Sequence, residues 1–429
     1  MIEQMPKYDS YKKSGVEWSN ELPEHWEIKK IFHNFYAKKG DRAALLTKEY
    51  CDLINGDYPV YSGQTGNDGV MGKIDTYEFD MTDEGCLFST TVGAKAMTLK
   101  YLDSKFSLSQ NCMVIINRNK TEVNSKFCFY AFQPLFSFHR KQIPEHMQAS
   151  FRMEDLYQYK YFLPPISEQV AITLFLDKKT AQIDEAIAIK RKQIELLKER
   201  KQIIIQQAVT QGLNPDAPMK DSGVDWIGQI PEHWGGVRFK NLFTQSRLPV
   251  RKGDGVVTSY RDGQVTLRSN RRVGGYTEAI LEGGYQGIRK GQLVLNSMDA
   301  FEGAIGVSDS DGKCTPEYVI CDPISSVNVS QYYFAYLLRE MALAKYIQVI
   351  CNAVRQRAVR IRYNNLAPLF MVVPPVKEQE DIVSFIEKES AKLDAGIKHL
   401  NEQISKLKEY KTTLINSAVT GKIKVTELA

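Results

Sequence analysis

At 429 residues the chain exceeds one ordinary hydrophobic core and suits two domains plus connecting elements. Hydrophobic residues at 43% and charged residues at 25% are ordinary globular values, which excludes wholesale disorder. The net charge of +5 is mild, but its distribution is uneven: Lys plus Arg match Asp plus Glu at 17 each over residues 24–160, whereas residues 232–370 hold 18 against 12.

The seven cysteines, Cys51, Cys86, Cys112, Cys128, Cys314, Cys321 and Cys351, are scattered and never spaced C-x-x-C, which argues against a disulfide framework or a zinc knuckle and fits a reducing compartment. The start of the chain is polar, and no run of about 18 apolar residues occurs. A soluble, cytoplasmic chain with no membrane association is expected.

In chain order, residues 1–23 begin a frame that carries Ser14-Gly-Val-Glu-Trp18 and leads into Leu22-Pro-Glu-His-Trp26. Residues 24–163 read as a mixed α/β domain, with β-branched runs at Cys86-Leu-Phe-Ser-Thr-Thr-Val92 and Cys112-Met-Val-Ile-Ile116 as strands and Ser62-Gly-Gln-Thr-Gly66 as a turn. Residues 164–213 form a long helix entered at Pro165. From Ser167 to Thr210 it contains no Gly or Pro, and Ile183, Ile187, Ile194, Leu197, Ile204 and Ala208 recur at spacings of three, four and seven. Gly212 and Asn214-Pro-Asp-Ala-Pro218 stop it, and residues 214–231 are a linker.

Residues 232–373 form a second mixed α/β domain, with a strand at Leu293-Val-Leu-Asn-Ser297 and a helix over Gln331 to Tyr346. Residues 374–421 form a second long helix with Leu393, Ile397, Leu400, Ile404, Leu407, Leu414 and Ala418 in its stripe, and Lys201 and Lys411 interrupt the two stripes at the same place. So narrow a stripe flanked by Lys and Glu is a coiled-coil seam. About 44 residues span roughly 65 Å. Because the second helix starts from the second domain, the pair is expected to run antiparallel, with pseudo-twofold symmetry.

These elements are one unit used twice. Ser14-Gly-Val-Glu-Trp18 returns as Ser222-Gly-Val-Asp-Trp226, and the first Pro-Glu-His-Trp returns as Ile230-Pro-Glu-His-Trp234, both displaced by 208 positions. Pro164-Pro165-x-x-Glu168-Gln169 returns as Pro374-Pro375-x-x-Glu378-Gln379, and Ala208-Val-Thr210 as Ala418-Val-Thr420, both displaced by 210. Between the Trp and Pro-Pro motifs the copies diverge almost completely. Trp26, Trp234, His25 and His233 read as structural residues of the frame.

No G-x-x-x-x-G-K-S/T phosphate loop occurs, and the six histidines form no H-E-x-x-H pattern. The Pro-Pro pairs lack the polar residue before and the aromatic after that amino-methyltransferases need, since Leu163 and Val373 precede them and Ile166 and Val376 follow. A chain with no catalytic site, no metal and no cofactor of its own is expected.

Reading bases takes forked donors held near phosphates by positive charge. Arg268, Asn270, Arg271 and Arg272 form one candidate cluster, and Arg355, Arg357, Arg360 and Arg362 a second. The same runs are what a solvated face looks like. The first domain offers Lys95 and Arg152, among spread-out cations, and Arg152 matches Arg362 at a displacement of 210, which favours a structural or phosphate contact for that pair.

The ordered, duplicated set of motifs resembles the specificity subunits of type I restriction-modification systems over essentially the whole chain. The resemblance implies two target recognition domains, each reading half of a split asymmetric site in double-stranded DNA, with the helices fixing the unread spacer. It also implies partners: two methyltransferase subunits docked on the helices and domains, which flip the target adenine, and restriction subunits that cut and translocate. S-adenosylmethionine, ATP and Mg would belong to those partners. Two other readings compete: a methyltransferase or nuclease with a fused recognition region, and a coiled-coil adaptor that binds only proteins.

Overall fold

Trp26 and Trp234 are 0% and 1% exposed, as core anchors must be, and each organises a separate folded unit. One unit comprises Met1–Lys190 with Asn401–Ala429, the other Arg191–Leu400. The computed structural model describes residues 4–63, 66–144, 146–271, 284–347 and 360–427.

The first unit opens with an antiparallel hairpin, Tyr11–Val16 with Ser19–Pro23. Its central sheet is antiparallel, in the order β1 (Phe35–Lys38), β4 (Cys112–Asn117), β2 (Cys86–Thr90), β3 (Leu99–Leu102). Every residue of β4 is buried, because the strand is covered on both faces. Cys86, Phe88, Cys112, Val114 and Ile116, at alternate positions, pack on Tyr61, Phe79 and Phe106, which come from a second sheet containing Tyr58–Tyr61, Phe79–Asp80 and Lys105–Leu108. Helix α1 (Ser125–Lys141) follows, its first turn capped by Asn124 Oδ1, which accepts from Phe127 N at 2.9 Å.

The second unit repeats this sheet in a sequence that shares almost nothing with the first. Its order is β5 (Phe243–Gln245), β8 (Tyr318–Pro323), β6 (Leu293–Asn296), β7 (Ile305–Val307), again antiparallel. Two shorter ribbons, Val257–Ser259 with Val265–Leu267 and Gln286–Ile288 with Gly312–Cys314, take the place of the first unit's second sheet. The expected helix over 331–346 ends sooner, as α3 (Gln331–Leu343), since Lys345 turns left-handed at φ 62°. The strands expected to reach Val92 and Ser297 stop at Thr90 and Asn296.

The long helices are α2 (Ile166–Gln211) and α4 (Val376–Val419). In the first unit their segments run antiparallel: Lys190 Nζ donates to Gln403 Oε1 at 2.6 Å and Lys411 Nζ lies 2.6 Å from Asp184 Oδ2. In the second, the Leu197 side chain packs over Gly396 and Lys201 Nζ lies 2.7 Å from Asp394 Oδ2. Ile183, Ile187, Ile194, Ile404 and Leu414 are buried, and Leu197, Ile204, Leu393, Ile397, Leu400 and Leu407 are half-buried. Among the described residues no helix is long and apolar enough to cross a membrane.

One carboxylate is buried against the long helix α2 in the second unit. Glu340 on α3 is 5% exposed and accepts from Gln202 Nε2 on α2 at 2.5 Å. Burial pushes its pKa up to about 7, against the pull of Gln202 and Arg339.

Candidate nucleic-acid interface

The repeated motifs meet in space. Glu168, at the start of α2, accepts from the Trp26 indole N–H at 3.1 Å and the Tyr8 hydroxyl at 2.7 Å, and lies 2.6 Å from His25 Nε2. In the second unit Glu378 accepts from Trp234 at 3.1 Å and lies 2.8 Å from His233 Nε2. The neighbouring glutamines, both fully buried, accept from the backbone N–H of the residue that caps α1 or α3: Gln169 from Asn124 and Gln379 from Ser330, each at 2.8 Å. Glu thus holds the Trp motif and Gln the start of α1 or α3. Gly421 in the first unit and Gly212 in the second, at φ 72° and 77°, end a long helix against Trp26 and Trp234 respectively.

A second repeated bracket lies in the divergent segments. In the first unit Thr91 N donates to Asn111 O at 2.8 Å, and Phe151 N donates to Thr91 O at 2.7 Å. In the second, Ser297 N donates to Glu317 O at 3.3 Å and Ile361 N to Ser297 O at 3.1 Å. The next residues, Arg152 and Arg362, both precede a short helix, and their N–H groups donate to Asp155 Oδ2 at 3.2 Å and Asn365 Oδ1 at 3.0 Å. Both arginine side chains are exposed. The hydrogen bonds thus place Asn111 and Glu317, Ser150 and Arg360, and Arg152 and Arg362 in corresponding positions, although Asn111 is left-handed at φ 63° and Glu317 is not. The strand β1 or β5 enters each bracket from the other side and ends beside exposed Lys39 or Arg247.

In the second unit this bracket borders a cleft of about 280 Å³ lined by Gln245, Arg247, Glu317, Arg360, Arg362 and Asn364 among others. Arg360 Nη1 donates to Glu317 Oε1 at 2.8 Å, with the two side chains 47% and 40% exposed. Forked donors, amides and one carboxylate open to solvent are groups that hydrogen-bond base edges and phosphates.

The other expected residues fall elsewhere. Arg268 Nε donates to Thr258 Oγ1 at 3.1 Å and Asn270 Nδ2 to Thr266 Oγ1 at 2.9 Å. Arg271 pairs with Asp262 at 2.9 Å, and its guanidinium carbon sits 4.1 Å from the Tyr260 ring centroid. Lys95 is exposed on a different cleft, beside Arg140 in the first unit. Arg272, Arg355 and Arg357 lie outside the described residues. Gln245, Arg247, Glu317 and Asn364 escaped the sequence reading. Counting outward from the matched Arg152 and Arg362 would have flagged Asn364; the others are brought there by strand pairing alone.

Residues 23–199 match the type I restriction modification DNA specificity domain. A type I specificity subunit of Mycoplasma pneumoniae is 30% identical over 164 residues, 36% of this chain and 51% of that protein. The EcoBI specificity subunit of Escherichia coli is 23% identical over 286 residues, 61% of this chain and 58% of that one. The chain thus spans about half the length of these two relatives. It covers 69% of a third, the N-terminal part of another Mycoplasma pneumoniae type I specificity subunit, at 30% identity over 136 residues. A chain solved in work on the assembly and conformational transition of the type I restriction-modification system matches 94% of this one, with a TM-score of 0.64. At 14% identity that likeness is one of fold.

Proposed function

Because the chain belongs to the family of type I restriction-modification DNA specificity subunits, we propose that it supplies the DNA address of such a complex, each unit reading one half of a split, asymmetric site in the duplex. The observation that carries this reading is that the two units have the same sheet, clasp and bracket but line the bracket differently. A frame kept while its lining changes is what two sockets of different specificity require.

In this reading the chain does no chemistry. Two methyltransferase subunits and the restriction subunits are its partners, and S-adenosylmethionine, ATP and Mg act in them. The cations at the two brackets, Lys39 with Arg152 and Arg247 with Arg362, supply the electrostatic grip on phosphates, with Arg268, Asn270 and Arg271 as further contacts at the rim. The bracket, where side chains from separate segments line one cleft, is the better place for base reading.

Co-expression with the cognate methyltransferase subunit and mapping of methylated adenines tests the reading. A split asymmetric motif written only when this chain is present supports it. The same methylation without the chain, or methyl transfer by the chain alone, overturns it.

A further inference from the structure

Resting on that reading, we infer which residues of the second unit choose a base and which base pair they choose. The two brackets share their backbone hydrogen bonds, so each position can be compared with its counterpart. Two positions keep their charge: Arg362 and Arg152 after the bracket, Arg247 and Lys39 beside it. Two change their chemistry: Glu317 stands where the first unit has Asn111, and Arg360 where it has Ser150. A cation kept in both units serves what both half-sites have in common, the phosphate backbone; a side chain that changes within the same hydrogen-bonded bracket serves what differs, the bases.

The chemistry of the variable pair then narrows the target. A carboxylate among guanidiniums weakens a purely phosphate-binding cleft, so Glu317 is misplaced for backbone contact. It is well placed to accept from the N4 amino group of cytosine, while a guanidinium fork grips O6 and N7 of guanine. The 2.8 Å bond from Arg360 to Glu317 orients that fork, and both heads stay about half exposed. So exposed a pair contributes little to folding. Arg360 and Glu317 read one G·C pair in the second unit's half-site, and Arg247 and Arg362 hold the flanking phosphates.

The test uses the full chain in complex with its methyltransferase partner, comparing methylation maps for wild type, Glu317→Gln, Arg360→Gln and Arg362→Gln, with retention of the methyltransferase as the check on folding. Glu317→Gln and Arg360→Gln should each relax the same G·C position in one half-site, lowering the preference there roughly tenfold to a hundredfold, with the other half unchanged. Arg362→Gln should keep the motif and lower the slope of log affinity against log salt by about one on a duplex carrying the mapped site. An unchanged motif in both Glu317→Gln and Arg360→Gln, or a uniform loss by variants that still hold the methyltransferase, overturns the inference while the specificity role stands. A wild-type complex that writes no split motif removes both.

Discussion

Lys201 Nζ donates to both carboxylate oxygens of Asp394, at 2.9 and 2.7 Å. In the other unit Lys411 holds Asp184 in the same way, at 2.8 and 2.6 Å. Both partners are displaced by 210 positions between the units, so the pair is one contact built twice. The lysines that interrupt the apolar stripes are therefore register marks for the antiparallel helices. Because the pairs are partly exposed, each should contribute only about 0.2 to 1 kcal/mol. We expect Lys201→Asp to destabilise the second unit slightly and Asp394→Lys to restore it in the double variant. A double-mutant cycle by urea unfolding checks this, and a coupling energy indistinguishable from zero at both sites would remove the registering role.

The carboxylates that clasp the tryptophans should matter more, and unequally. Glu168 receives three partners, Trp26, His25 and Tyr8, whereas Glu378 receives Trp234 and His233. Truncation to Ala leaves buried donors unpaired at about 1 to 3 kcal/mol per group. Glu168→Ala should therefore cost about 1 kcal/mol more than Glu378→Ala in chemical denaturation; the reverse order would show that the clasp is not set by the number of donors.

The repeat, the helices and the seam were legible in the sequence because each has a short-range signature: a motif pair, a run without Gly or Pro, an apolar spacing. The sheets common to both units were not, because β4 and β8 have the same place in their sheets while sharing almost no residues. Strand order is fixed by which faces are covered, and Cys112–Asn117 and Tyr318–Pro323 satisfy that with different apolar residues. The same limit hid the cleft. Glu317 and Arg360 are far apart in the chain and meet only because Ile361 is hydrogen-bonded to Ser297, which in turn is bonded to Glu317. Runs of arginine drew the eye instead to Arg268 and Arg271, which fold back onto Thr258 and Asp262.

Glu340 gives the second unit a pH dependence that the first should lack, since Pro134 of α1 occupies the corresponding helix position. With its folded pKa raised to about 7 from 4.5, Glu340 holds a proton in the folded chain that the unfolded chain has already released between those values. The unfolded state then binds fewer protons, so stability falls as pH rises through that window and is level above it. Glu340→Gln should remove most of the fall, gaining on the order of 3 kcal/mol relative to wild type between pH 4.5 and pH 8. Urea midpoints across that range measure it. A Gln variant whose advantage is the same at both ends would mean that the carboxyl is not protonated in the fold.

The long helices allow one prediction about the spacer between half-sites. α2 supplies residues 166–190 to the first unit and 191–211 to the second, while α4 supplies 376–400 to the second and 401–419 to the first. Inserting seven residues into each helix, one heptad beside Lys190 and one beside Leu400, preserves the phase of the seam and lengthens the connection by about 10 Å. At about 3.4 Å per base pair, the unread spacer should grow by two or three base pairs. The bases of each half should not change, because the brackets and clasps lie outside the inserted turns. Methylation mapping of the complex with the doubly extended chain reads both quantities at once. An unaltered spacer would show that the helices do not set the distance, and altered half-sites would show that they do more than set it.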